Sequence, residues 1–474
     1  MTTLLSVLAL LLIPAFTGVL LVRRVLGRSV ASTMLIATLP LGTGLGLGLS
    51  GLLAFLSLVL LDRIVLTAEV ALALVVGWST WRLPPPDDAA EASEVWTPGT
   101  RSLLVGLLLA CALAVAAFTI QVRQAPHGGW DAWDYWNMHA RFLFRGGEAW
   151  QDAFSQVPWW THPEYPLLLP AMVARGWCTL ASESTLVPIT LSYVFTFSSV
   201  AVLYYGVHVL VGRASALAAG ILLVGTPYFV LHGSEQYADA PLAFFFLATM
   251  VCVALYDRDE ACPRLLTLAG AFCGLSTFLK NDGLLFLLCL VVARGWLLIR
   301  RGDVRVARRE AWAFGLGLVP GLGATLLFKL GYAVTPDSAE FYAHAWREWP
   351  RGFFDHVALQ ASNTARLQRM LQGWGHYLLR FDQGVVPLVF VLLGYGLLTG
   401  RRVDRPRRTL ATLFGTLVLL VLGVSLAFWL WSTYEVFDHM DALTRLLTQW
   451  LPMALFALFL ALRPPWERRL GTAG

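Results

Sequence analysis

Long apolar runs joined by short polar links make up most of this 474-residue chain. A helix needs about 20 predominantly apolar residues to cross a bilayer. The sequence therefore predicts an all-α integral membrane protein, a polytopic helical bundle of about thirteen spans. The predicted segments are 3–22, 31–61, 64–81, 102–120, 185–211, 214–231, 238–256, 265–279, 283–299, 310–331, 384–400, 409–431 and 447–462. Segment 31–61 is long and glycine-rich, so that it can tilt, kink or split.

Arginine sets the expected orientation, because cytoplasmic links are enriched in Lys and Arg. The links densest in arginine are 23–28, 300–309, 401–408 and 463–469. All four are cytoplasmic only if segment 165–181, which holds two prolines and an arginine, lies in the outer interface without crossing. The extracytoplasmic stretches are then 121–184, 232–237, 280–282, 332–383 and 432–446. Stretch 332–383 is long enough for juxtamembrane helices.

Composition agrees with a membrane protein, since only 14% of the residues are charged against about 25% in globular proteins. The net charge of +5 is modest, and no nucleic-acid motif is present. The six cysteines form no CxxC pair, which indicates neither a disulfide framework nor a zinc site. Lysine occurs only at Lys280 and Lys329.

A proline- and acid-rich linker, 83–100, divides the chain. We expect residues 1–100 to form an accessory unit of three spans and a cytoplasmic linker. Residues 101–474 would then form the catalytic membrane domain.

A polar stretch runs from Gly128 to Pro170. Seven of the nineteen tryptophans fall between Trp130 and Trp177. The stretch opens with Asp131 and Asp134, three residues apart, which would share one face of a helix. A carboxylate beside tryptophans in a partly dry site can act as a base or hold a cation. The structural alternatives are an aromatic belt at the membrane surface and acids placed at a helix N-terminus.

Two further polar segments precede apolar runs. THPEYP places His162, Glu164 and Tyr165 between prolines that favour an extended or turning backbone; a solvated re-entry into the interface is the alternative. HGSEQYADAP carries Glu235, Tyr237 and Asp239. Asp239 opens a predicted helix, where capping alone would also explain it.

Two cations stand on the predicted outer side, where positive charge is disfavoured. Lys280, in the tight turn LKNDG with Asp282, would suit a phosphate at the headgroup level; a snorkelling lysine paired with Asp282 is the alternative. Arg445, before the last predicted span, can meet a phosphate or pair with Asp441 four residues earlier. No P-loop, HExxH, GxSxG or EF-hand pattern occurs.

These motifs resemble those of the C-type (GT-C) membrane glycosyltransferases, in particular the protein O-mannosyltransferases of glycosyltransferase family 39 and the bacterial lipid A aminoarabinose transferases. Those enzymes place acids in the first large extracytoplasmic loop, followed by juxtamembrane helices and a His- or Lys-Pro-Pro segment. WDAWDYWNMHARFL, THPEYPLLLP, YADAPLAFFF and FLKNDG stand in that order here. This chain departs from the pattern in its three extra N-terminal spans and in reading His-Pro-Glu-Tyr-Pro.

The resemblance implies a GT-C-like fold in the plasma membrane and inverting transfer of a sugar from a polyprenyl-phosphate donor. The acceptor would be a lipid, glycan or protein at the extracytoplasmic face. It implies Asp131 as general base, with Asp134 as substitute base or metal ligand, and a donor phosphate held by Lys280 and Arg445. The other implied substrate-binding residues are His162, Glu164, Tyr165, Glu235, Tyr237, Asp239 and Asp282. Some relatives use a divalent cation, for which Asp131, Asp134, His162 and Glu164 are the candidate ligands, and the spacing here does not decide.

A polytopic transporter or lipid flippase is the alternative function. It would need ionisable residues near the middle of the membrane, whereas the polar residues here cluster at one predicted face. A single outward cavity ringed by Asp131, Asp239 and Lys280 would favour the transferase.

Overall fold

The computed structural model describes residues 2–26, 35–60, 65–81, 96–154, 162–333, 351–380, 387–402, 406–431 and 441–463. These residues form eighteen α-helices. They are α1 Thr2–Leu26, α2 Leu35–Leu60, α3 Val65–Trp81, α4 Pro98–Gln124, α5 Asn137–Arg145, α6 Leu168–Leu180, α7 Leu186–Leu210, α8 Arg213–Val224, α9 Pro227–Ser234, α10 Asp239–Arg258, α11 Arg264–Leu279, α12 Asn281–Arg301, α13 Val304–Gly331, α14 Arg351–Ala361, α15 Thr364–Arg380, α16 Leu388–Leu398, α17 Arg407–Trp431 and α18 Asp441–Ala461.

Four minor elements complete the described fold. A π-helix, Ala132–Trp136, leads into α5, and a 3-10 helix, Gly147–Phe154, follows it. The strands β1 Gly400–Arg401 and β2 Leu462–Arg463 pair antiparallel over two residues each.

The prediction of an all-α polytopic membrane protein is confirmed. Eight helices within the described ranges are long and apolar enough to span a bilayer, or nine if the pair α8 and α9 is one broken span. Every predicted segment contains a helix, but the apolar parts of α3, α11 and α16 are short, so the count of thirteen spans stays a prediction. The pair α8–α9 is bent by 60°, where Gly225 and Pro227 interrupt the apolar run.

Helix α10 is the centre of the bundle, and its whole spanning window is buried. It packs against α7, α11 and α18. Neighbouring α11 and α13 approach so closely that a Cβ on Gly270 would lie 2.0 Å from the carbonyl oxygen of Phe314. Glycine at such a crossing allows the two backbones to touch, which supports helix association in lipid through van der Waals contact.

Helix α6 is thirteen residues long, about 20 Å at 1.5 Å per residue, and therefore too short to cross the bilayer. This length agrees with the prediction that segment 165–181 does not span. However, residues 168–177 are all buried, and α6 packs on α2. The helix is thus embedded in protein, and its main contacts are not with the membrane interface.

A group of charged side chains lies at the C-terminal end of α10. Asp257 accepts hydrogen bonds from Arg294 at 2.5 and 3.0 Å, and Arg408 contacts both Glu310 and Glu260. Arg301 also pairs with Glu260 at 2.9 Å, so an arginine of link 300–309 and Arg408 of link 401–408 lie at the same end of the bundle. Asp239, eighteen residues earlier on α10, lies about 27 Å away along the helix axis.

Candidate functional site

Asp239 is the centre of the candidate site. It is the first residue of α10 and is completely buried. Its Oδ1 accepts hydrogen bonds from Lys280 Nζ at 3.1 Å and from Gln449 Nε2 at 2.6 Å, and its Oδ2 accepts one from Arg445 Nε at 3.1 Å. A buried carboxylate needs such compensation. Asp239 follows the N-cap residue Ala238, and its carboxylate accepts from three side chains, so capping alone does not explain this residue.

Lys280 joins Asp239 to Asp282. The residue is extended, between the end of α11 and the start of α12, and its Nζ lies 3.1 Å from Asp239 Oδ1 and 3.0 Å from Asp282 Oδ2. Burial would lower the pKa of Lys280, but the two carboxylates outweigh burial and raise the pKa above its ordinary value. Lys280 is therefore a charged, largely buried cation. A snorkelling lysine would need only Asp282 as its partner, whereas Lys280 contacts Asp239 as well.

Arg445 connects Asp239 to the segment between α4 and α5, called the first loop, which carries Asp131. From α18, its Nη1 lies 2.5 Å from Asp131 Oδ2 while its Nε reaches Asp239. Its guanidinium carbon also stands 4.8 Å from the centroid of the Tyr237 ring, a cation–π contact. Arg445 thus bridges two carboxylates that are 108 positions apart in the sequence.

Asp131 and Asp134 occupy different environments although both are buried. Asp131 directly precedes the π-helix, and its side chain makes no capping hydrogen bond, which disfavours the helix N-terminus explanation. Burial raises the pKa of Asp131 above its ordinary value, against the opposing effect of Arg445. Within the described ranges Asp134 forms no hydrogen bond or ion pair. The two acids therefore do not act as an equivalent pair.

The Trp-rich segment is only partly an aromatic belt. Trp130 and Trp133 are exposed and contact each other edge to face. Trp136 is completely buried and stacks on Tyr165, with ring centroids 5.6 Å apart. The third tryptophan thus connects the first loop to the HPEYP segment.

The HPEYP segment lies beside the first loop and outside the charge network of Asp239. His162 Nδ1 lies 3.1 Å from Glu164 Oε1, and the His162 ring stacks on Tyr165. Although burial opposes it, the hydrogen bond from His162 lowers the pKa of Glu164. Lys329 Nζ donates to the Glu164 carbonyl oxygen and to Asn281 Oδ1, each at 2.7 Å. Lys329 therefore fastens this segment to the residue next to Lys280.

The segment before α10 packs on the start of the first loop. The amide nitrogen of Gly129 donates to the Glu235 carbonyl oxygen at 3.0 Å. A Cβ on Gly129 would lie 2.4 Å from the Tyr237 hydroxyl oxygen, so the close approach requires glycine. The Glu235 carboxylate pairs with His232 Nδ1 at 2.6 Å and does not join Asp239.

The structure therefore brings together five of the predicted residues in one network: Asp131, Tyr237, Asp239, Lys280 and Arg445, with Asp282 attached through Lys280. The other predicted residues lie around this network without joining its ion pairs. They are His162, Glu164, Tyr165, Asp134 and Glu235. Gln449 was missed by the sequence analysis, as were His232 and the role of Lys329. Gln449 stands four residues after Arg445, one helical turn on, and that spacing was the available signal.

Two further observations concern metal ligands and a nearby cavity. Among the described residues there is no group of three or more His, Cys, Asp or Glu side chains that could hold a metal ion, so the candidate ligands Asp131, Asp134, His162 and Glu164 do not converge. A cavity of about 590 Å³ lies between α2, α5 and α6. It is not lined by the charged network, and its walls are mostly apolar apart from Arg175 and three small polar residues.

Comparison with known proteins supports one family. The family described as dolichyl-phosphate-mannose-protein mannosyltransferase matches residues 162–342, less than half of the chain. This match confirms the resemblance to the GT-C membrane glycosyltransferases and supports a membrane glycosyltransferase of that type. The matched region contains Asp239, Lys280 and Asp282, while Asp131 and Arg445 lie outside it. No curated protein and no solved structure matches the chain.

Proposed function

We propose that this protein transfers a sugar from a polyprenyl-phosphate donor to an acceptor at the extracytoplasmic face of the membrane, with inversion. The observation that carries the proposal is the bridge made by Arg445, which holds the buried Asp131 against the Asp239–Lys280 pair. A buried carboxylate and two cations thereby lie within a few ångströms of one another, which supports a base beside a phosphate site.

In the proposed reaction, Asp131 takes the proton from an acceptor hydroxyl as that oxygen bonds to the anomeric carbon of the sugar. The bond between the anomeric carbon and the phosphate oxygen breaks, and its electron pair stays on the departing polyprenyl phosphate. Lys280 and Arg445 stabilise the charge that accumulates there. The raised pKa of Asp131 brings this carboxylate nearer to the range of an effective base.

A transporter is less well supported by the same residues. Ionisable groups of a transport pathway cluster near the middle of the membrane, whereas this network lies at the first residue of α10, the turn before α12 and the beginning of α18. Lys329, near the end of α13, donates to the HPEYP segment and to Asn281, so it is engaged in a structural contact.

The test is a comparison of Asp131→Asn with Asp134→Asn in purified protein supplied with polyprenyl-phosphate sugars and membrane extract as acceptor. Asp131→Asn keeps the shape of the side chain but loses the base, so transfer should fall by about 10²–10⁴-fold while the folded protein is recovered in normal amount. Full transfer by Asp131→Asn, with loss in Asp134→Asn, would assign the base to Asp134.

A further inference from the structure

The ammonium of Lys280 is already engaged by two carboxylates. Its Nζ donates a hydrogen bond to Asp239 Oδ1 at 3.1 Å and forms an ion pair with Asp282 Oδ2 at 3.0 Å. Because Asp131, Asp239 and Asp282 carry three negative charges against the two positive charges of Lys280 and Arg445, a phosphate that approaches Lys280 meets net negative charge. A donor phosphate can therefore pair fully with Lys280 only when one carboxylate gives way.

Asp239 is not free to leave. It is completely buried, and Arg445 and Gln449 also donate to it. Withdrawing it would remove the counter-ion that Lys280 and Arg445 share, and the loss of a buried partner is strongly destabilising.

Asp282 is free to leave. Its side chain is 24% exposed, against 0% for Asp239. It lies in the first turn of α12, and apart from Lys280 its side-chain partner among the described residues is Gln449, through a 3.3 Å hydrogen bond. Water can replace both partners when the side chain turns outward, so its departure leaves no buried charge unpaired.

Gln449 allows this exchange because its amide holds the two carboxylates unequally. Nε2 lies 2.6 Å from Asp239 Oδ1 and 3.3 Å from Asp282 Oδ2. When Asp282 leaves, the shorter hydrogen bond remains. Asp239 and Lys280 then stay in place while the position facing Lys280 becomes available.

We propose that Asp282 is an exchangeable counter-ion: in the empty protein it occupies the position at Lys280 that the donor phosphate takes, and it returns when the lipid phosphate leaves. This inference rests on the proposed function. The donor is a phosphodiester with one negative charge, whereas the product is a phosphate monoester that carries about −1.5 to −2 near neutral pH. The product is therefore held more strongly by Lys280 and Arg445, and the return of Asp282 favours its release.

The experiment measures binding of farnesyl phosphate, a short isoprenoid monoester, to the full chain in detergent micelles by titration calorimetry at fixed salt. Removing the competing charge in Asp282→Asn should lower Kd about fivefold or more, and Asp282→Ser should do the same. Glu183→Gln is the matched control, because Glu183 has a 20% exposed side chain paired with Arg145 outside the network, and its Kd should not change. Lys280→Met should bind more weakly than the parent protein.

Kinetics give a second readout that a purely structural role would not produce. In Asp282→Asn the KM for the donor and the inhibition constant of farnesyl phosphate should both fall, the latter more, while kcat does not rise. If both Asp282 variants bind farnesyl phosphate no more tightly than the parent while Lys280→Met loses binding, the exchange is refuted and the phosphate site stands. If the parent and Lys280→Met bind equally, or neither binds, the phosphate site of the proposed function fails, and the exchange with it.

Discussion

Removing the Arg445 guanidinium should destabilise the protein through the carboxylates that it leaves behind. Arg445 contacts the nearly buried Asp131 and the completely buried Asp239. Breaking a buried ion pair by deleting one partner costs about 3–5 kcal/mol, because the remaining charge is uncompensated. Arg445→Met should lie in this range. Asp239 keeps Lys280 as a second cation, which places the expected loss at the lower end, about 3 kcal/mol.

A double-mutant cycle separates the charge effect from lost packing. If the uncompensated carboxylate causes the loss, Arg445→Met combined with Asp239→Asn should be less destabilised than the sum of the single variants by about 2 kcal/mol. The assay is denaturant unfolding in mixed micelles, followed by tryptophan fluorescence. Arg145→Met is the control: it removes an arginine whose side chain is 65% exposed, so stability should hardly change. Additive effects of Arg445→Met and Asp239→Asn would refute the argument that these side chains form one charge network.

Three further outcomes are expected. A topology reporter fused after Gly128 should be extracytoplasmic and one after Asp303 cytoplasmic; both on one side would contradict the orientation drawn from arginine. Lys280→Arg should weaken donor use partly and Lys280→Met should nearly abolish it, since a compact ammonium in a tight turn is not equivalent to a guanidinium; donor saturation curves of purified protein measure both, and unchanged curves for Lys280→Met would leave the lysine as a mere anchor. Transfer should decline as pH falls through the pKa of Asp131, which burial raises, so the acid limb of the pH–rate profile should lie above the ordinary value of about 3.9; a limb at or below that value would argue against Asp131 as the base.

The apolar pattern predicted the fold class because spanning helices must satisfy all their backbone hydrogen bonds internally, and this requirement produces long apolar runs. It was less informative on helix breaks. Segment 214–231 reads as one span, yet Gly225 and Pro227 divide it into α8 and α9. The proline was the signal for that break, because it removes a backbone donor inside a helix.

The candidate site was predictable where a charge stands in an unfavourable place. The sequence indicated three of its residues because each carries a charge that structure alone does not require. Lys280 and Arg445 stand on the predicted outer side of the membrane, and Asp131 stands in the Trp-rich stretch. Gln449 was missed because a neutral amide inside the apolar run 447–462 has no such signature. Its role depends on Asp239 and Asp282, which reach it from two other helices, and no local pattern records that meeting. The sequence also did not predict the unequal environments of Asp131 and Asp134. Asp134 lies inside the π-helix and Asp131 directly before it, whereas the spacing of the two acids predicted an ordinary helical turn there.

The most direct test of the central claim is a comparison of envelope glycolipids and glycoproteins by mass spectrometry in a strain that lacks this protein. The strain is complemented with the parent chain, with Asp131→Asn or with Asp134→Asn. We expect the deletion to remove one sugar from a defined lipid, glycan or protein, the parent chain to restore it, and Asp131→Asn to fail although it reaches the membrane at normal level. Unchanged glycans in the deletion strain, or full restoration by both Asp131→Asn and Asp134→Asn, would contradict a transferase that uses an acid of the first loop as its base.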